Sequence, residues 1–118
     1  MSKYIVKQVA IPISERELPN QKGWDGAIAE SDHWRVKMDY MHGLRKGFKS
    51  EDLEYFTDTY VVEANGLEDV FKITNLWEQE ELVQRLRRGH STSVGDLVED
   101  TTTGKIHMVD GFGFKEVA

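Results

Sequence analysis

The ten residues GLEDVFKITN, from Gly66 to Asn75, constrain this chain more than any other stretch. Asn65 precedes them and Glu68 stands three residues on, a capping-box arrangement with Asn in place of Ser or Thr. Leu67, Val70, Phe71 and Thr74 follow at i, i+3, i+4 and i+7 and give a helix one apolar stripe. The stretch DTYVVEAN before it has the β-branched, aromatic composition of a strand. The capping device then repeats, with Asn75 ahead of LWEQEELVQRLRRG and Glu78 three on. This spacing predicts a second helix ending at Gly89, acidic in its first turn and basic in its last, as a helix macrodipole favours. Leu82, Val83 and Leu86 would supply its buried stripe, and Glu81 and Arg85 would pair one turn apart.

On either side of this pair the chain is rich in strand signals. KYIVKQVAIPI places Ile5, Val9 and Ile11 on one parity, interrupted by Lys7, and Tyr4, Val6 and Ala10 on the other. Pro12 lacks an N–H and ends the pairing. SERELPNQKG reads as a polar connection. From Trp24 to Gly43 two periods compete. Ala27, Ser31, Trp34, Met38 and Met41 recur at helical spacing, whereas Trp34, Val36, Met38 and Tyr40 alternate as a strand would. Length and the helix formers Ala27, Ala29 and Glu30 favour helix, with Gly43 at its C′ position. GLRKGFK is a basic connection, and Ser50 with Glu51 and Asp52 starts a short helix. At the end of the chain, SVGDLVED, TTTG and KIHMVDGFGFKEV read as strand, turn and return strand. Ile106, Met108, Phe112 and Phe114 share parity and should face the core, and Gly111 and Gly113 bend the strand near Asp110. The expected fold is α+β, one domain over residues 1–118. It has a small, mainly antiparallel sheet, two consecutive helices and a C-terminal β-hairpin.

Composition narrows the function classes. The chain has no Cys, which excludes a disulfide framework and a cysteine-based zinc site and points to a reducing compartment. No apolar run approaches the ~20 residues of a membrane span, and MSKYIVKQVA lacks a signal-peptide pattern. A soluble protein of the cytoplasm, with no membrane partner, is expected. The net charge of −6 is uneven: residues 1–50 carry nine Lys and Arg against six Asp and Glu, and residues 51–118 carry six against fifteen. An acidic second half makes a general nucleic-acid binder a poor expectation, since phosphate-backbone affinity is cationic.

Few residues present chemistry. His90, Ser91, Ser93 and Asp96 hold the residue types of a nucleophile and its base, but their spacing brings no base to a hydroxyl. The simpler role for Ser93, Gly95 and Asp96 is a tight turn in which a side chain accepts backbone N–H groups. His33, His42, His90 and His107 form no metal-ligand pattern. The Gly-Phe-Gly-Phe run, which includes Gly113 and Phe114, lacks phosphate-loop spacing and packs as core. No catalytic set, metal site or cofactor motif is expected. Arg85, Arg87, Arg88 and His90 form a basic cluster able to dock an anionic partner, or an RNA strand beside an exposed aromatic, where the plainer role is to supply the cations of a helix C-terminal turn. Trp24, Trp34 and Trp77 are expected as core or partly buried anchors, and two of them exposed side by side would mark an interface.

Two short motifs in the last quarter carry a resemblance. Ser91, Ser93, Val94, Gly95, Asp96, Leu97 and Val98 match one, and Asp110, Phe112, Gly113, Phe114 and Glu116 match the other. Together with the preceding strand and helix, residues 59–117 resemble the YodL-like small proteins of phages and other mobile elements. Here Leu97 stands where that group has a β-branched residue. The resemblance implies a fold and a mobile-element origin but no reaction. It makes Ser91, Ser93, Gly95, Asp96, Asp110, Gly113 and Phe114 motif positions, read as structural. The leading expectation is therefore a non-enzymatic accessory protein that binds a host or phage protein in the host cytoplasm. One alternative is an acidic mimic, with carboxylates arrayed over residues 51–81, that inhibits a nucleic-acid-binding defence factor. Another is a small ligand-binding domain or enzyme built around Ser93 and Asp96. A flat hairpin edge would also permit a homodimer.

Overall fold

A computed structural model describes residues 1–43, 47–76, 79–111 and 113–118. In chain order the elements are β1 (Ser2–Val9), α1 (Leu18–Glu30), α2 (Asp32–Met41), β2 (Phe56–Ala64) and α3 (Leu67–Leu76), followed by β3 (Val83–Arg85), β4 (Leu97–Asp100), β5 (Ile106–Asp110) and β6 (Gly113–Glu116). Short 3-10 turns lie at Ile13–Glu15, Ser50–Tyr55 and Glu80–Leu82. The six strands form one antiparallel sheet in the order β3-β2-β1-β4-β5-β6. The α+β expectation holds in this form.

Strand β1 is central, paired with β2 on one side and β4 on the other. A strand in that position must bury both its faces, because alternate side chains point to opposite sides of the sheet. Helix α3 covers one face, setting Val70 and Ile73 on Tyr4, Val6, Tyr60, Val62, Val98 and Val109. Helix α2 covers the other, where Val36 and Tyr40 meet Val9, Phe56, Leu97 and Ile106. Neighbours Leu97 and Val98 are both fully buried, one in each cluster.

Lys7 interrupts the apolar series in β1, and a β-bulge lies at the same place. Val6 pairs with Tyr60 but Lys7 pairs with Asp58, so Thr59 is the extra residue of β2. Lys7 Nζ meets Asp58 Oδ1 at 2.8 Å and Glu99 Oε1 at 3.4 Å. Burial works against the ammonium charge, but the two carboxylates outweigh it and hold the Lys7 pKa above its ordinary value.

The ambiguous stretch from Trp24 to Gly43 is helical. Ser31 divides it: its Oγ accepts the Trp34 N–H at 3.2 Å and caps α2. Gly43 follows the C-cap with φ 65°, the left-handed geometry expected at C′. The preceding connection is shorter than the sequence implied. Leu18–Lys22 is already helical, with Pro19 in the first turn, and Gly23 at φ 70° breaks α1 there. The basic connection around residues 43–49 lies partly outside the described residues.

Three expectations fail. The helix predicted over 76–88 does not form: Val83–Arg85 is strand β3, paired with Tyr60–Val62. Without it, β2 would present an open row of N–H and C=O groups, and pairing them outweighs a helix propensity of a few tenths of a kcal/mol per residue. Arg85 accordingly pairs with Glu80 at 3.1 Å rather than with Glu81. Second, the cap of α3 comes from a different carboxylate. Asn65 N–H donates to Asp69 Oδ2 at 3.0 Å, while Asn75 sits inside the helix and donates to Phe71 O and Thr92 O; Glu78 lies outside the described residues. Third, KIHMVDGFGFKEV is two strands. Asp110 pairs with Gly113, and Val109 pairs with Phe114. Ile106 and Met108 therefore pack on the α2 side while Phe114 packs on the α3 side. Phe112 lies outside the described residues.

Candidate functional site

Gln8 stands on the parity of Tyr4 and Val6 in the middle of the sheet, where an unpaired amide would cost several kcal/mol. It is 3% exposed, and every polar atom of its side chain is used. Gln8 Nε2 donates to His90 O at 2.8 Å and to Asp96 Oδ2 at 2.9 Å. Its Oε1 accepts the His90 N–H at 3.3 Å. Tyr60 Oη also donates to His90 O, at 3.0 Å. The amide thus holds the long 86–96 connection onto the sheet at one point.

Gly89 makes this approach possible. A Cβ there would stand 2.2 Å from Thr59 Cγ2, 2.6 Å from Gln8 Oε1 and 3.0 Å from Tyr60 Oη. The residue read as a helix stop is instead the position where backbone crosses the bulge of β2 at contact distance.

Asp96 and Ser93 close a turn beyond it. Asp96 Oδ2 accepts the Ser93 N–H at 2.9 Å, and Asp96 N–H donates to Ser93 O at 3.0 Å. Gly95, at φ 93°, packs against the end of α2, where a Cβ would lie 2.9 Å from Met41 N. Burial pushes the Asp96 carboxyl above its ordinary range, opposed by the Ser93 N–H, His90, Gln8 and Lys37.

The imidazole of His90 lies between Asp96 and Lys37. Its Nδ1 is 2.7 Å from Ser91 O and 3.9 Å from Asp96 Oδ2, and its Nε2 is 3.4 Å from Lys37 Nζ. These neighbours assign the proton to Nδ1, which donates to Ser91 O, and leave Nε2 to accept from the Lys37 ammonium. Both hydrogens of Gln8 Nε2 are committed elsewhere, so its 3.3 Å approach to Nδ1 is a contact rather than a bond. Burial lowers the Lys37 pKa, and Asp96 pulls it back upward.

Lys37, Gln8 and His90 also line a cavity of about 310 Å³ between the end of β1, α2 and residues 88–90. Arg16 and Arg88 complete its charged wall, and Val9, Ala10, Ile11 and Trp34 its apolar one. Among the described residues no carboxylate lines it. Trp34 Nε1 donates to Glu15 O at 2.7 Å, and its ring meets Trp24 edge to face at 5.4 Å. Of the tryptophans expected as core or partly buried anchors, Trp34 is half-buried and Trp24 is 51% exposed; Trp77 lies outside the described residues.

The basic cluster expected to dock a partner divides. Arg88 and His90 reach the cavity. Arg87 donates to Asp58 O at 2.9 Å, and Arg85 lies over the Tyr60 ring. Asp110 follows Val109, which accepts the Gly95 N–H and donates its own N–H to Asp96 O, both at 2.9 Å. The two halves of the tail motif thus adjoin through the backbone, and Val94, Asp110 and Gly111 line one cavity, while Gly113, at φ 135°, and Phe114 belong to the β5–β6 hairpin. Carboxylates of the 51–81 region are spread through the fold: Asp52 is buried, Asp58 pairs with Lys7, and Asp69 caps α3.

Arg16, Lys37 and Gln8 were not singled out by the sequence. Only Gln8 carried a signal, as an amide at a core parity position of a strand. Among the described residues no group of three His, Asp or Glu is placed to hold a metal ion, and no helix is long and apolar enough to cross a membrane. Comparison with known proteins finds no matching family model, no matching curated protein and no matching solved structure.

Proposed function

We propose that this chain is a non-enzymatic accessory protein of a phage or other mobile element, working in the host cytoplasm by binding a host or phage protein. The observation that carries the reading is the Trp24–Trp34 pair. An indole 51% exposed, braced edge to face on a second ring, has a large apolar surface and little rotamer freedom to lose on docking. Such residues dominate binding energies at interfaces. The tail motifs shared with YodL-like proteins support the mobile-element origin. Replacing Trp24 by Ala tests the binding role without opening the core. Wild-type protein should capture a specific partner from host lysate that Trp24→Ala loses, with both proteins equally folded by circular dichroism. Equal capture by both removes the reading.

A second reading, a small-ligand domain, is favoured by one observation: His90 and Asp96 converge beside a cavity. It differs from the expected arrangement in that Ser93 contributes its backbone N–H to Asp96, which makes the turn structural and leaves the cavity wall to Arg16, Lys37 and Arg88.

A further inference from the structure

We infer that the cavity between β1, α2 and residues 88–90 is a binding site for a small phosphate monoester with an apolar or aromatic body. The inference rests on the small-ligand reading and is independent of partner docking through Trp24. Three observations carry it. Three cationic side chains, Arg16, Lys37 and Arg88, come from three separate segments to line one cavity, in a chain of net charge −6. Like charges repel, so such convergence costs energy unless an anion offsets it. Among the described residues no carboxylate lines the wall. Asp96, whose charge acts on Lys37, is buried and already accepts from Gln8 and the Ser93 N–H, and among the described residues no carboxylate pairs with Arg16 or Arg88. A dianion matches three cations better than a carboxylate does, and guanidinium groups suit phosphate oxygens.

The remaining wall describes the rest of the ligand. Val9, Ile11 and Trp34 form an apolar surface opposite the charges. The volume, about 310 Å³, lies at the small end of the usual range for small-molecule sites and leaves room beyond a phosphate group. Lys37 approaches His90 Nε2 at 3.4 Å, and His90 is fixed in turn by Gln8 and Ser91. The lysine is thus positioned before any ligand arrives, which lowers the ordering cost of binding.

The test is calorimetric titration of the whole chain with phenyl phosphate, inorganic phosphate and benzoate. Phenyl phosphate should bind at one site, at least about tenfold more tightly than either of the others, and more weakly as salt rises. Arg88→Gln and Arg16→Gln, both at exposed positions, should each weaken it by about tenfold, while Lys105→Gln, on the distant β4–β5 turn, should not. A phosphotyrosine peptide forms the second arm. Weaker binding than phenyl phosphate identifies a free small molecule as the source, and tighter binding identifies a phosphorylated side chain; both support the phosphate site. Absence of saturable heat with phenyl phosphate at millimolar concentration, or undiminished binding by the two arginine variants, overturns it. Arg16→Gln should still capture the partner that Trp24→Ala loses, which separates this outcome from that of the partner-capture experiment.

Discussion

Gly89→Ala is the sharpest test of how the 86–96 connection is held. The added methyl would lie 2.2 Å from Thr59 Cγ2, at least about 1.3 Å inside the ~3.5 Å at which carbon atoms begin to attract. Thr59, Gln8 and Tyr60 are 2%, 3% and 0% exposed, so none of the three can swing into solvent. Two relaxations remain. The connection can lift off the sheet, or the Gln8 amide can turn away and break its bonds to His90 and Asp96. Overpacking of this kind costs about 1–3 kcal/mol, and each hydrogen bond lost adds about 1 kcal/mol. The expected total is about 2–4 kcal/mol. At roughly 4 °C per kcal/mol for a chain of this length, that lowers Tm by about 8–16 °C. Gly66→Ala is the control, because a Cβ there meets nothing within 4 Å, and it should stay within about 1 kcal/mol of wild type. Thermal unfolding followed by circular dichroism reads both. If Gly89→Ala melts within about 2 °C of Gly66→Ala, the connection does not press on the bulge and the account of the site is wrong.

Two further outcomes are expected. Asp96→Asn should alter how stability depends on pH. Burial raises the folded carboxyl above 3.8, so the native state keeps a proton that the unfolded chain has lost. The stability Asp96 contributes is then complete below 3.8 and is lost as pH rises through the folded value. The variant, which cannot titrate, should gain on wild type over that window in urea unfolding at several pH values, and a constant difference would contradict this. Tyr40→Phe removes the bond from Tyr40 Oη to Asp52 Oδ2, 2.6 Å long and buried. It should cost about 1–3 kcal/mol by the same measurement, because a buried carboxylate loses one donor and the Lys49 N–H loses the hydroxyl it donates to; a loss below about 0.5 kcal/mol would show that the hydroxyl carries no weight.

Local patterning alone settled a good part of this protein. The two parities of β1, the strand composition of β2, the apolar stripe of α3, the turn at Thr101–Gly104 and the glycine after α2 are decided by side-chain character and backbone stereochemistry within a few residues, and the structure keeps them. The arginine-rich stretch after α3 shows where such reasoning stops. Its period and charge order suit a helix, but the open edge of β2 needed hydrogen-bond partners, and only the assembled sheet presents that need. Gly89 is glycine because Thr59 lies beneath it, thirty positions away in the chain. The cavity arises likewise, since Arg16, Lys37 and Arg88 share no local pattern and meet only when β1, α2 and the 86–96 connection close on the same end of the sheet. Periodicity reports what a residue does to its own element, whereas a site is made by elements meeting, and long-range packing alone determines which ones do.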